Sequence, residues 1–183
     1  MRCFAHTINI SAKAVLRQFD IPKKRDGEEL DEVGRALADL AEGLDLEEHM
    51  EQETQEMANG NEDDKPLEAW DDFHGGLTRE EVRQLDVSVQ PMRSMLVKLR
   101  KLAFALKNST TKLLPAWYNT LTSLRLPHRM MPRDVTTHWN STFDMLVFVI
   151  QYRLAIDLMT ATRNLGLRKH ELVSTEWVVT TEL

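Results

Sequence analysis

The chain has a single cysteine, Cys3, in 183 residues, so it has no internal disulfide framework. A reducing compartment is therefore the default setting. Long apolar runs are scarce as well. The longest, Met145 to Ile150, has six residues, against the ~20 that a membrane-spanning helix needs. The N-terminus lacks the anatomy of a signal peptide. Glycine-rich phosphate loops, a nucleophile elbow and an H-E-x-x-H pair are all missing, and with them the commonest local signatures of catalysis. What remains is the expectation of a soluble intracellular protein with no membrane partner. At 42% hydrophobic it is long enough for one domain with a real core.

Acidity is present but confined. Residues 26–86 hold 22 Asp and Glu against four Lys and Arg, a local balance of −18. The rest of the chain stands at +12, so the net charge of −6 describes neither part. An acidic block is set inside a basic protein, and the overall pI misleads about partners.

The apolar spacing predicts a mainly α chain. Phe4, Ile8, Ala12, Val15 and Phe19 form one stripe on a helix that Pro22 ends. From Lys23 to Asp86 the sequence reads as an acidic, largely disordered insertion. It holds one or two marginal helices, spaced through Leu30, Val33, Leu37 and Leu40 and interrupted by Gly34 and Gly43. Order is expected to return near Val87. Met92, Leu96, Leu99, Ala103 and Leu106 make a seam there, and Arg93, Arg100 and Lys107 recur every seven residues on another face, with Lys98 and Lys101 nearby. That basic face either follows a phosphate backbone or simply solvates a helix.

Ser109 can stop this helix or cap the next, in which Pro115 is tolerable only near the first turn. Residues 114–126 read as a shorter helix and 127–134 as an irregular crossing. Ser141 with Asp144 fits a capping box for a helix carrying Met145, Phe148, Val149, Tyr152, Ile156 and Met159 and ending before Gly166. The segment STEWVVTTEL is ambiguous. Its β-branched run favours a strand, and Ser174 followed by acids favours a helix start.

Cys3 and His6 offer metal or nucleophile chemistry. A structural zinc site closes with four ligands, and no second cysteine or histidine pair at ligand spacing completes this one. Nothing local orients His6 as a base for the thiol. On spacing alone, Cys3 is a small apolar residue and His6 a hydrogen-bonded one.

Three stretches carry a family resemblance. RCFAHTINISAKAVL resembles the C-x-x-H helix of the hAT superfamily of DNA transposases, LVKLRKLAFALKNS resembles that family's next helix, and RDVTTHWNSTFDML resembles its D-x-x-T-R-W-N-S-T-x-x-M-L block. They occur in family order. The acidic stretch between them is similar to that of transposase-derived proteins in basidiomycete fungi. The family motif positions are Cys3, His6, Asp134, Trp139, Asn140, Ser141 and Thr142. His138 departs from the family's usual arginine and, when neutral, cannot fork onto phosphate.

The resemblance implies a helical fragment of a ribonuclease-H-like (α/β) transposase core. Residues 1–22 would be the C-x-x-H helix, 23–86 the acidic low-order insertion, and 87–183 a helical segment leading into the family's insertion domain. In intact members three carboxylates hold two Mg²⁺ or Mn²⁺ ions. Those three positions fall outside the matching residues, so no catalytic residue, metal or cofactor is expected in this chain. The expected function is that of a truncated or degenerate transposase-derived protein with weak, non-specific DNA binding. Arg93, Lys98, Arg100, Lys101, Lys107 and Trp139 are the candidate contacts, Trp139 by stacking on a base or else by packing under the following helix. The alternatives are a helical protein-interaction module, or a subunit completed by an intact transposase or another chain. A nuclear setting follows from the resemblance, with the short PKKR cluster at residues 22–25 as a weak import signal, and a cytoplasmic one otherwise.

Overall fold

The computed structural model describes residues 32–43, 78–134 and 141–182. All regular structure among these residues is helical. Helix α1, Glu32–Ala41, lies in the acidic stretch and runs through Gly34. A glycine inside a helix costs about 1 kcal/mol relative to alanine. Packing offsets that cost, because Leu37 and Ala41 are buried with Val97 in a small cluster of their own. Gly43, at φ 86°, lies just past the helix end in the left-handed region.

Helix α2, Arg79–Asn108, is the axis of the fold. Its start corrects the boundary expected at residue 87, which falls inside the helix. The reason is a local signal among the acids. Thr78 Oγ1 accepts from Glu81 N–H at 3.3 Å and Glu81 Oε2 accepts from Thr78 N–H at 2.7 Å, a complete capping box. Glu80 takes Arg83 one turn on at 2.8 Å, and Asp86 takes Arg93 at 3.0 Å. Pro91 lies inside the helix and removes the donor for the carbonyl of Val87. Val87 is 63% exposed, so water can donate to that carbonyl in place of the missing N–H.

Met95, Leu96, Leu99, Leu102, Ala103 and Leu106 bury the inner face of α2. Ser109 closes α2, its N–H on Ala105 O; the N-cap position of the next helix is Lys112 rather than Ser109, although the Ser109 hydroxyl accepts from Leu113 N–H at 3.2 Å. Helix α3, Leu113–Ser123, tolerates Pro115 as its third residue. It ends with Leu126 N–H on Leu121 O at 2.9 Å and Arg125 N–H on Thr122 O at 3.1 Å, the paired bonds of a Schellman cap. The irregular crossing follows. Trp117 Nε1–H donates to Arg129 O at 2.9 Å and Tyr152 OH to Pro127 O at 3.1 Å, which hangs the crossing on two core aromatics. Phe148 stacks on Tyr152 at 4.1 Å between ring centroids, with Trp117 tilted against both.

The helix expected from Ser141 to Gly166 is two. Helix α4, Ser141–Gln151, and helix α5, Arg153–Ala161, are separated at Tyr152. Helical bonding nearly persists across the break, with Ile156 N–H on Tyr152 O at 3.0 Å. Two short 3-10 turns, Arg163–Leu165 and Arg168–His170, lead to helix α6, Ser174–Glu182, with Gly166 at φ 72° between them. The ambiguous last segment is therefore helical. Glu176 accepts from Val173 N–H at 2.9 Å as a cap, and Trp177 is buried. α6 packs on α2 and α4, and α3 packs on α2 and α5, enclosing one main core.

Candidate functional site

Between Asp86 and Asp134 the chain has no acid but nine Lys and Arg. The cations of α2 must therefore find anions from other parts of the chain or face water. Most find anions.

The principal meeting point is Asp134, at the end of the crossing. Arg100 donates to Asp134 Oδ2 through Nε at 2.7 Å and through Nη2 at 2.7 Å. Asp134 Oδ1 accepts from Ser141 Oγ at 2.8 Å and Thr142 Oγ1 at 2.8 Å. The side chain of Asp134 is 3% exposed and that of Arg100 14%. Three motif positions, Asp134, Ser141 and Thr142, are thus brought together with one nominated base. Charge-assisted bonds of this length are the strong class. The carboxylate clamps the two ends of segment 135–140 together and pins both to α2. Ser141, expected as a cap with Asp144, places its hydroxyl on this carboxylate, and Asp144 lies in the first turn of α4.

Glu176 is the second meeting point. Its carboxylate accepts from Lys98 Nζ at 2.8 Å on each oxygen, from Ser94 Oγ at 2.7 Å, and from Val173 N–H. Glu176 is 5% exposed along its side chain. The pair fastens α6 to α2 where no loop connects them. Lys101 Nζ donates to Glu42 O, fastening the end of α1. Arg93 is held by Asp86. Of the five nominated DNA-contacting cations on α2, Arg93, Lys98, Arg100 and Lys101 are thus engaged by Asp86, Glu176, Asp134 and the Glu42 carbonyl, and Lys107 is exposed near the helix end. Spacing alone could not separate these roles, because every partner except Asp86 lies more than thirty residues away. The missed signal is the acid-free stretch itself, which obliges distant acids to supply the counter-charges.

Cys3, His6, Trp139 and Asn140 lie outside the described residues, as does His138. Among the described residues no group of three or more His, Cys, Asp or Glu is placed to hold a metal. His170 is a functional-looking residue that the sequence reading passed over. It is 3% exposed, its Nδ1 has no hydrogen-bond partner, and burial beside Lys169, Lys101 and Lys98 pushes its pKa down to about 4. A neutral imidazole at the junction of α2 and α5 fits that setting.

The outer face of α4 and α5 is the other unusual surface. Phe143, Val147, Ile150, Leu154 and Leu158 are between 36% and 67% exposed. At 100° per residue Phe143, Val147 and Ile150 fall within an arc of about 60° on α4, and Leu154 and Leu158 lie one turn apart on α5. The opposite face, with Met145, Phe148, Val149, Tyr152, Ala155, Ile156 and Met159, is core. A helix pair apolar on both faces normally lies between two layers.

A family model, the ZBED1 RNase-like helical domain, matches residues 83–183. The match spans α2 from its second turn to the end of the chain and agrees with a transposase-derived helical domain. No curated protein and no solved structure matches the chain.

Proposed function

This chain belongs to the family of ZBED1 RNase-like helical domains, and from that premise we propose that it is a non-catalytic, transposase-derived docking module. We read it as a hAT-type member with an acidic stretch of the basidiomycete kind and a nuclear setting. The observation that carries docking is the set of five exposed apolar side chains on one side of α4 and α5. A structural part for Asp134 fits this reading, since this motif acid accepts from two hydroxyls and a guanidinium within the fold.

Weak DNA binding is the second reading, favoured by Lys112, Arg125 and Arg129, which are exposed on the acid-free stretch. Two assays on the full chain separate the readings. One is titration against a short duplex at two salt concentrations, and the other is incubation with supercoiled plasmid and Mg²⁺ or Mn²⁺. The docking module gives no nicking and no steeply salt-dependent affinity. A steep fall of affinity with salt establishes the DNA reading. Metal-dependent nicking only when a second polypeptide is added establishes a transposase subunit.

A further inference from the structure

We propose that the exposed face of α4 and α5 pairs with the same face of a second copy of this chain, antiparallel about a two-fold axis beside Ile150. This rests on the docking function above and names its partner. Phe143, Val147 and Ile150 on α4 and Leu154 and Leu158 on α5 are the exposed large apolar side chains of the two helices. The helices follow one another closely, since Tyr152 N–H meets Phe148 O at 2.9 Å and Ile156 N–H meets Tyr152 O at 3.0 Å. A two-fold contact requires a surface that complements itself. These positions meet that requirement from either direction. With the axis between residues 150 and 151, Phe143 faces the partner's Leu158, Val147 faces the partner's Leu154, and Ile150 lies next to its own equivalent.

The area matches what a dimer needs. At roughly 150 Å² for a fully exposed large apolar side chain, the five, between 36% and 67% exposed, present about 400 Å² in each copy. Facing copies bury about 800 Å² of apolar surface. With a polar rim that leaves the interface about 65% apolar, the total is about 1,200 Å², the lower edge of stable specific interfaces. Charge favours the same partner. Residues 143–158 carry three charges, Asp144, Arg153 and Asp157, a balance of −1. Arg153 stands 3.8 Å from Asp157 and 4.6 Å from the centre of the Trp177 ring, so it is engaged within its own chain. Two identical faces of such low charge approach with little repulsion. A phosphate backbone or an anionic membrane surface would instead call for clustered Lys and Arg beside the apolar side chains.

Sedimentation velocity on the full chain, from about 1 to about 200 μM, tests the pairing. The sedimenting mass is expected to rise across that range from one chain toward two. Val147→Lys and Leu154→Glu each set a charge against an apolar side chain of the partner. Either should hold the chain at one mass throughout, with Tm at about 1 μM unchanged because both side chains are exposed. The double variant should restore the dimer. The antiparallel register brings each introduced ammonium onto an introduced carboxylate of the partner, whereas the two stand about 10 Å apart along their own chain. Association that neither single variant weakens, or that the double variant fails to restore, would overturn the proposal. A chain that stays at one mass at about 200 μM would overturn it too, and binding of an apolar dye then decides the docking function. Dye binding lost in Leu154→Glu keeps the face open to a different partner, and dye binding indifferent to that variant overturns the docking function as well.

Discussion

Arg100 and Asp134 stand 34 residues apart in sequence, and the guanidinium meets one carboxylate oxygen through both Nε and Nη2 at 2.7 Å. The contact joins the middle of a 30-residue helix to the entrance of the motif helix α4. Removing one partner of such a buried pair leaves the other charge without compensation, which typically costs about 3–5 kcal/mol. Asp134→Ala should therefore lower stability by about that amount in urea denaturation. Ser141→Ala, which removes one hydroxyl donor, should cost about 1 kcal/mol. Equal losses from the two variants would show that Asp134 is not the centre of the clamp.

Glu176 offers a check on how α6 is held. Glu176→Gln keeps the shape and loses the charge facing Lys98, so α6 should loosen before the rest of the domain. Hydrogen exchange of residues 176–182 is expected to speed up at least tenfold, with α3 little changed. Paired replacement, Lys98→Met with Glu176→Met, should recover part of the loss, since an apolar pair avoids the buried lone charge. Uniform acceleration across all helices in the single variant would argue against a local fastener.

His170 makes stability depend on pH. Burial pushes its pKa in the fold down to about 4 from the ordinary histidine value of 6.5, so between these values the unfolded chain binds the proton and the native chain does not. Stability contributed by the neutral form is full above pH 6.5 and falls as pH is lowered toward 4. The cations responsible are Lys169, Lys101 and Lys98, with burial the larger cause. His170→Leu should flatten the Tm profile between pH 6.5 and 4 relative to the parent. A slope unaltered by the variant would place the titrating group elsewhere.

Arg125 is the non-glycine residue with positive φ among the described residues, at 56°. A side chain in the left-handed region costs roughly 1–2 kcal/mol, a cost that glycine avoids. Arg125→Gly should stabilise the domain by about 1 kcal/mol, read as a higher urea midpoint with an unchanged m-value. Arg125→Val should destabilise it, because a β-branched residue fits that conformation poorly.

A truncation sorts the acidic stretch into its parts. Deleting residues 44–77 spares α1 and the Thr78–Glu81 cap and should leave the melting transition close to that of the full chain. Deleting 26–86 also takes away Leu37, Ala41 and the Asp86 partner of Arg93, and should lower Tm by several degrees. Equal Tm values for the two deletions would make the contacts of α1 energetically idle.

By itself the sequence determined what is local. Apolar spacing over residues 92–106, Ser109 between two helices and Pro115 in a first turn depend on neighbours within a turn or two, and each was legible as such. The motif residues at 96–109 and 133–146 pointed to a transposase-derived helical domain for the same reason, since a short linear pattern survives without its surroundings. Even the missed start of α2 was written locally, in Thr78 and Glu81, beneath an acidic composition that concealed it. Tertiary structure decided everything that rests on contact at long separation. It gave the bases of α2 to Asp134 and Glu176, turned Asp134 from a motif letter into a clamp, and overrode the β-branched run of residues 178–181 by burying Trp177 and capping with Glu176. It broke one periodic helix at Tyr152, whose ring and hydroxyl are claimed by Phe148 and Pro127. It also left Phe143, Val147, Ile150, Leu154 and Leu158 outside the core. The period of a helix states which residues share a face, and only the arrangement of the other helices settles which of two apolar faces is buried first.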